Sequence, residues 1–281
     1  MGDTFSSVAA ADMADTGQWR LEAAISRFGI HALLRAIRRP GVPVRPLLDA
    51  SWSEESEGLL KRIENAVYDH PQVLDDYSAR IIIDTPLTVW CPSAPGDTPE
   101  PDAGLFTSIY GGSPDDVMCD VSSPESPVCL YSLVAGLKAF LGRTFPGAIV
   151  KPFQSLLLDR AFRLFPDSEG ILVVMRPKAT DFVAVSKGTL SAIATRPALS
   201  PSDVAYHALN TLNTLRFSPE SASVAVMTEN YPPLSDLSGD SDDDDFGAAG
   251  CVAIIRQFCP AAYLLHDDMS LPPHTTNPRP Q

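Results

Sequence analysis

Short runs of alternating apolar and polar residues open the chain. Leu21, Ala23 and Ile25 alternate with more polar positions, and after a turn at residues 27–29 the alternation resumes as far as residue 36. A period of two residues is typical of half-buried strands, so residues 19–36 are predicted to form a β-hairpin. A third extended run is predicted at residues 44–48.

Helical spacing replaces the alternation after this run. Ser51 and Glu54 have the spacing of a capping box, and they predict a helix of about 17 residues that ends before Pro71. The apolar run at residues 81–83 is typical of a fully buried strand. Further elements are predicted as strands at residues 88–90 and 117–120 and as helices at residues 130–141 and 153–164.

The second half of the chain repeats the opening pattern. Lys187 and Gly188 have the character of a two-residue hairpin turn, and Ser200 is a good helix cap. Residues 251–258 are predicted to be the last long strand. The repeated series is three strands, a helix and a strand, at residues 171–175, 182–186, 190–194, 200–215 and 223–227.

This order of elements resembles two ribonuclease-H-like lobes in succession, and the duplication is similar to an actin-like fold. The resemblance implies an α/β protein in which each of two lobes has a mixed sheet and flanking helices. Lobe I is expected at residues 18–150 and lobe II at residues 151–267, with an acidic loop at 231–250. Residues 1–17 and 268–281 are predicted to be a disordered leader and tail.

A second resemblance rests on particular stretches of sequence. They are residues 63–71 (IENAVYDHP), 74–77 (LDDY), 81–86 (IIIDTP), 143–147 and 203–209, together with Tyr131, Gly136 and Leu137. Over roughly residues 18–230 they resemble a bacterial family described as a domain of unknown function with an actin-like fold. This resemblance implies a fold without implying a chemical activity.

Composition and charge restrict the classes of function. The chain has 281 residues, with 21 Lys and Arg against 35 Asp and Glu, and a formal net charge of −14. Nucleic-acid binding is disfavoured because it depends on basic residues that neutralise phosphates. A cytoplasmic location without membrane insertion is expected, since the chain has neither a long apolar run nor the features of a secretory signal. The cysteines and histidines lack zinc-ligand spacing, so buried free thiols and no cofactor are expected.

Arginines cluster near the start of the chain. Glu22 is the acid that accompanies Arg20, Arg27, Arg35, Arg38, Arg39 and Arg45. A solvated strand face is one explanation of the cluster, and a surface for an anionic partner, with Arg38 and Arg39 as contacts, is the other. Asp75, Asp76 and Tyr77 lie between a predicted helix and a buried strand, where they either cap the backbone or contact a partner.

Two kinds of catalytic site would require particular residues in this sequence. The actin-like resemblance implies phosphate-binding turns of the form Asp-x-Gly-x-Thr in the first hairpin of each lobe. Here the turns are residues 26–29 (SRFG) and 176–181 (RPKATD), and only Gly29 fits; the adenosine turn at residues 228–230 has no glycine. A nuclease would need acids that converge on metal ions, for which the candidates are Glu22, Glu64 and Asp84.

The leading hypothesis is a non-catalytic binding or scaffold protein on a degenerate actin-like fold that lacks nucleotide-binding motifs, with a protein as its partner. One alternative is a nucleotide-binding enzyme of the same superfamily with a divergent site. Another is a ribonuclease-H-like nuclease. Self-association into a homo-oligomer is compatible with each hypothesis.

Overall fold

A computed structural model describes residues 16–38, 42–52, 58–92, 102–121, 127–197, 199–228 and 244–265. The chain divides into two compact units, the first ending at Ser155 and the second beginning at Leu156. A five-stranded sheet of mixed parallel and antiparallel pairs forms the framework of each unit.

The first unit contains two sheets. Its strands are β1 (Trp19–Ser26), β2 (Gly29–Ala36), β3 (Arg45–Ser51), β4 (Ser78–Asp84), β5 (Thr88–Cys91), β6 (Met118–Asp120), β7 (Val128–Tyr131) and β8 (Ile149–Pro152). Its helices are α1 (Leu59–Tyr68), α2 (Ala103–Tyr110) and α3 (Leu137–Thr144). The larger sheet has the order β3-β2-β1-β4-β8, and the smaller has the order β5-β7-β6. Strand β1 is antiparallel to β2 and parallel to β4.

Alternation along β1 decides which of its residues face the helices α1 and α3. Leu21 and Ile25 form one core with Ile63 of α1 and Phe140 of α3. Because successive side chains of a strand point to opposite faces, Glu22 lies on the face away from this core. The polar positions of β1 are therefore separated from α1 by the sheet itself.

The second unit repeats the strand order of the first. Helix α4 (Phe153–Leu164) spans the boundary, and the strands are β9 (Glu169–Met175), β10 (Ala179–Ser186), β11 (Thr189–Pro197), β12 (Ser223–Thr228) and β13 (Ala262–Leu264). Its other helices are α5 (Pro201–Leu215) and α6 (Asp244–Ile255). The sheet has the order β11-β10-β9-β12-β13, in which β9 is antiparallel to β10 and parallel to β12.

Two local predictions in this unit are confirmed. Lys187 and Gly188 connect β10 to β11 with φ angles of 49° and 73°, which are left-handed values that suit a tight hairpin turn. The Ser200 hydroxyl caps α5 by accepting a hydrogen bond from the backbone N–H of Asp203. Short-range turn and cap chemistry was therefore a reliable guide here.

The predicted start of the first helix is wrong. Ser51 is the last residue of β3, where it pairs with Gly29, and the residue before α1 is Gly58. Glu54 lies outside the described residues. Strand pairing thus overrides the local capping pattern at Ser51.

The predicted helix at residues 130–141 is also wrong in its first half. Leu130 and Tyr131 belong to β7, which is the central strand of the smaller sheet. All four residues of β7 are buried, so the strand shows no alternation and its apolar run resembles a helical stripe in the sequence. Gly136, with φ of 83°, then precedes α3.

The predicted strand at residues 251–258 is a helix over most of its length. Helix α6 begins at Asp244, inside the segment expected to be an acidic loop, and residues 231–243 of that segment lie outside the described residues. Ala248, Cys251 and Ile255 are buried in the core of the second unit. Their separations of three and four residues are helical, but a short apolar run does not distinguish a helix from a strand by itself.

Candidate functional site

The first hairpin turn is closed by contacts within its own unit. The backbone N–H of Phe28 donates to the Ser26 hydroxyl at 3.1 Å. Trp52 donates from its backbone N–H to the carbonyl of Phe28 and from its indole N–H to the carbonyl of Arg27, at 2.8 and 2.9 Å. The N–H of Phe28 and the carbonyl groups of Arg27 and Phe28 are therefore bound by other residues of the same unit.

Gly29 has a packing role in this turn. A Cβ atom at this position would lie 2.6 Å from the carbonyl oxygen of Ala50 on β3. This separation is shorter than real Cβ contacts, so β3 lies too close to admit a side chain. The glycine that matched the phosphate-binding pattern is thus explained by strand packing.

The second hairpin turn contains a buried ion pair. Nε of Arg176 lies 2.7 Å from Oδ2 of Asp181, and the two side chains are 6% and 1% exposed. The hydroxyl of Thr195 donates to Oδ1 of Asp181 at 2.6 Å, and the backbone N–H of Arg176 donates to the carbonyl of Ala179. Both carboxylate oxygens of Asp181 are therefore engaged by neighbouring side chains.

The remaining catalytic candidates are the expected adenosine turn and the three nuclease acids. Thr228 ends β12, and the remaining residues of the expected adenosine turn, 229 and 230, lie outside the described residues. Glu22 and Asp84, proposed as nuclease acids, pair with Arg80 and Ser26 in the parallel ladder of β1 and β4. Four residues of strand place them roughly 13 Å apart.

Glu64, the third nuclease candidate, lies on α1. This helix covers the face of the sheet that carries Leu21 and Ile25, whereas Glu22 lies on the opposite face. The structure therefore does not bring the three acids together. Among the described residues, no group of three or more His, Cys, Asp or Glu side chains is arranged to hold a metal ion.

Four arginines of the first unit lie at one end of the larger sheet. Arg20 lies near the start of β1 and Arg35 near the end of β2, where the two residues are direct partners in the antiparallel ladder. Arg45 begins β3, and its guanidinium lies 4.7 Å from the centre of the Trp19 ring, a cation–π distance. Arg38 follows β2 and is exposed. We call these four residues the arginine edge.

Glu22 holds two of these arginines on one face of the sheet. Nε and Nη2 of Arg20 lie 3.2 and 3.0 Å from Oε1 of Glu22, and Nε of Arg35 lies 2.8 Å from Oε2. Like charges directly opposite each other destabilise a sheet. The carboxylate compensates for this repulsion, because it donates no proton and accepts from both guanidinium groups.

Four of the five contact residues predicted from the sequence, Arg38 and residues 75–77, lie at this end of the sheet. Tyr77 directly precedes β4, whose first residue pairs with Arg20. Asp75 and Asp76 are exposed, and the Tyr77 hydroxyl donates to Asp75 at 3.4 Å. Burial and the neighbouring Asp75 raise the pKa of Tyr77. The structure thus brings Arg38 to the same sheet end as residues 75–77, and Arg39 lies outside the described residues.

Sequence reasoning missed the two ion-pair sets. Arg176 and Asp181 are five residues apart, on either side of a hairpin turn, and Glu22 and Arg35 are thirteen residues apart across another. A signal was present, because opposite charges in two adjacent predicted strands of a hairpin can pair across it. The pairing register of the two strands determines which charged residues are neighbours, and the sequence does not give that register.

The cysteines and helices provide two further observations. All five cysteines are free; Cys129, Cys251 and Cys259 are buried as expected, whereas Cys119 is exposed. Burial raises the pKa of Cys251 to about 12. Within the described ranges, no helix has the length and apolar character needed to cross a membrane.

The fold is that of an actin-like ATPase. A protein of unknown function with an actin-like ATPase fold from Bacteroides thetaiotaomicron VPI-5482 superposes with a TM-score of 0.68 at 16% identity, over 90% of this chain and 93% of that one. At this identity the similarity establishes the fold alone. The fold class predicted from the sequence is confirmed.

Two other solved structures are more distant. The cytoplasmic domain of EpsL, an inner membrane component of the type II secretion system of Vibrio cholerae, has a TM-score of 0.44 at 11% identity, over 75% of this chain and 83% of that one. The ethanolamine utilization protein EutJ from Carboxydothermus hydrogenoformans has a TM-score of 0.42 at 9% identity, over 88% and 84%. These scores are too low to support an inference about this chain.

The sequence itself identifies the family. Residues 48–236 match the family described as "Protein of unknown function (DUF3822)". The chain belongs to this family, as the sequence resemblance indicated. No protein of curated function matches the chain.

Proposed function

We propose that this protein is a non-catalytic binding or scaffold protein that uses an actin-like fold without a functional nucleotide site. The observation that carries the proposal is the buried Arg176–Asp181 pair in the second hairpin turn. In the ATPases of this fold, the resemblance implies that turn N–H groups and an acidic side chain serve the phosphates and the metal. Here the acid of the turn is neutralised by Arg176 and bound by Thr195.

The first hairpin turn supports the same proposal. Its Phe28 N–H is used by Ser26, and the carbonyl groups of Arg27 and Phe28 are used by Trp52. A phosphate site requires N–H groups that point outward and converge on the anion. The contacts of this turn serve the cohesion of the first unit instead.

The partner in this proposal is a protein. A net charge of −14 opposes the phosphate backbone of nucleic acids. The contact residues that we propose are Arg38, Arg39, Asp75, Asp76 and Tyr77. Of these, Arg38 and residues 75–77 lie at the end of the sheet that carries the arginine edge. A cytoplasmic location, lobe limits of 18–150 and 151–267 and a homo-oligomeric state stay proposals of the same kind.

Thermal unfolding with nucleotides tests the proposal. Millimolar ATP, ADP or AMP with magnesium should leave the melting temperature unchanged. A ligand at 100 times its Kd stabilises the native state by about 2.7 kcal/mol, and each kcal/mol raises the melting temperature of a chain of this size by roughly 2–4 °C. An increase of about 5 °C or more that disappears with EDTA would contradict the proposal and favour a divergent nucleotide-binding enzyme.

A further inference from the structure

The Arg20–Glu22–Arg35 set has unused hydrogen-bonding capacity. Each guanidinium group has five N–H donors, and Glu22 engages Nε and Nη2 of Arg20 and Nε of Arg35. No other hydrogen bond or ion pair within the described part of the chain engages the guanidinium group of either arginine. The side chains of Arg20 and Arg35 are 18% and 26% exposed.

Glu22 also fixes the direction of both guanidinium groups. Its side chain is 11% exposed, and each of its oxygens is occupied by a different arginine. Fixing the two side chains in advance reduces the rotamer entropy that an incoming ligand would otherwise have to overcome. The result is a preorganised pair of forks at the sheet surface with one carboxylate already bound.

We propose that Arg20 and Arg35 form a recognition site for a carboxylate side chain of an acidic protein segment. The inference rests on the proposed binding function and names the chemistry of the partner. Guanidinium forks match the planar geometry of carboxylates, and Glu22 shows that this pair accommodates one. The two guanidinium groups outnumber the single carboxylate of Glu22, so the site has a local positive charge that attracts an acidic segment despite the net charge of −14.

Fluorescence anisotropy with a fluorescein-labelled octaglutamate peptide, at low ionic strength and with the full chain, tests this site. The wild-type protein should bind the peptide saturably. Arg35→Gln and Arg35→Lys should each weaken binding about tenfold or more, because lysine keeps the charge but loses the fork. Arg62→Gln removes an exposed arginine of α1 and is the matched control, with less than about a twofold effect.

Glu22→Gln provides an independent test with the opposite sign. Removal of the internal carboxylate leaves two opposed guanidinium groups and more free donors, so this variant should bind the peptide more tightly than the wild type. A merely structural role for the ion pairs would not produce this gain. Far-ultraviolet circular dichroism of each variant establishes that it is folded.

Three results would overturn the inference. They are absence of saturable peptide binding, equal losses in Arg35→Gln and Arg62→Gln, and stronger retention of inorganic phosphate than of the peptide in a competition titration. The nucleotide measurement and the peptide measurement can fail independently. The first hairpin turn begins six residues along β1 from Arg20, roughly 20 Å away. A magnesium-dependent ATP shift would therefore leave the peptide measurements interpretable.

Discussion

Replacement of Asp181 by asparagine should strongly destabilise the second unit. Asparagine keeps the shape of the side chain and removes its charge, so the guanidinium of Arg176 would lose the carboxylate that lies 2.7 Å from its Nε. Both side chains are almost fully buried, and water therefore cannot compensate efficiently. Removing one partner of a buried ion pair costs about 3–5 kcal/mol.

Urea unfolding measures this loss, with two spectroscopic signals for the two units. Trp19, Trp52 and Trp90 are the tryptophans of the chain and all lie in the first unit, so indole fluorescence reports that unit. Circular dichroism reports the helices and strands of both units. A transition in circular dichroism that moves to lower urea in Asp181→Asn, ahead of the fluorescence transition, would locate the damage in the second unit.

Two matched variants make the measurement specific. Glu220→Gln removes an exposed carboxylate from the same unit and should change the unfolding free energy by less than about 0.5 kcal/mol. Thr195→Val removes a hydroxyl that donates to Asp181, which should cost about 1.5–3 kcal/mol. If Asp181→Asn lost less than about 1 kcal/mol, the buried pair would not stabilise the turn and our reasoning would be refuted.

Three further predictions concern the packing and titration of single residues. Gly29→Ala should cost about 1–3 kcal/mol in urea unfolding because of overpacking against β3, whereas Gly142→Ala in α3 meets no atom within 4 Å and should stabilise by about 0.5–1 kcal/mol. Ala248→Asp should cost about 2 kcal/mol or more, several times the cost of Ala249→Asp, because Ala248 lies in the core and Ala249 lies at the surface. Equal losses in the two variants would contradict the assignment of residues 244–255 to a helix. Burial lowers the pKa of His31 below its usual 6.5, so the unfolded chain binds more protons, and stability that is complete above about pH 6.5 should fall as the pH decreases towards 5. His31→Gln should reduce this slope in unfolding free energies measured across that range.

The repeated strand order could be predicted because its signals are local. Leu21, Ala23 and Ile25 alternate within one strand, and Lys187 and Gly188 define a turn by themselves. The wrongly predicted elements depend on tertiary contacts. Strand β7 is apolar because all four of its residues are buried, and Ser51 extends β3 because it pairs with Gly29. Neither cause is visible in a window of adjacent residues.

The candidate sites were predicted less completely than the fold. Charge counting found an excess of arginine around Glu22, but it did not show that Arg20 and Arg35 are cross-strand partners. A phosphate-binding motif is defined by consecutive residues, which at positions 176–181 are RPKATD. The actual chemistry of this turn lies across the hairpin, between Arg176 and Asp181, where a linear pattern has no means of pairing them.

The energetics of the second turn support the proposal that this actin-like fold does not bind phosphate there. An anion that displaced the Asp181 carboxylate from Arg176 would have to break a buried ion pair, at a cost of about 3–5 kcal/mol. Each 1.4 kcal/mol is tenfold in affinity, so the penalty corresponds to about 100- to 4,000-fold weaker binding. The strand order does not depend on that site, because Ile171 and Val173 of β9 and Val224 of β12 are held by an apolar core. In the proposed non-catalytic protein the sheet therefore does not require a ligand at this turn, and Arg176 compensates the charge of Asp181 that a metal ion would otherwise neutralise.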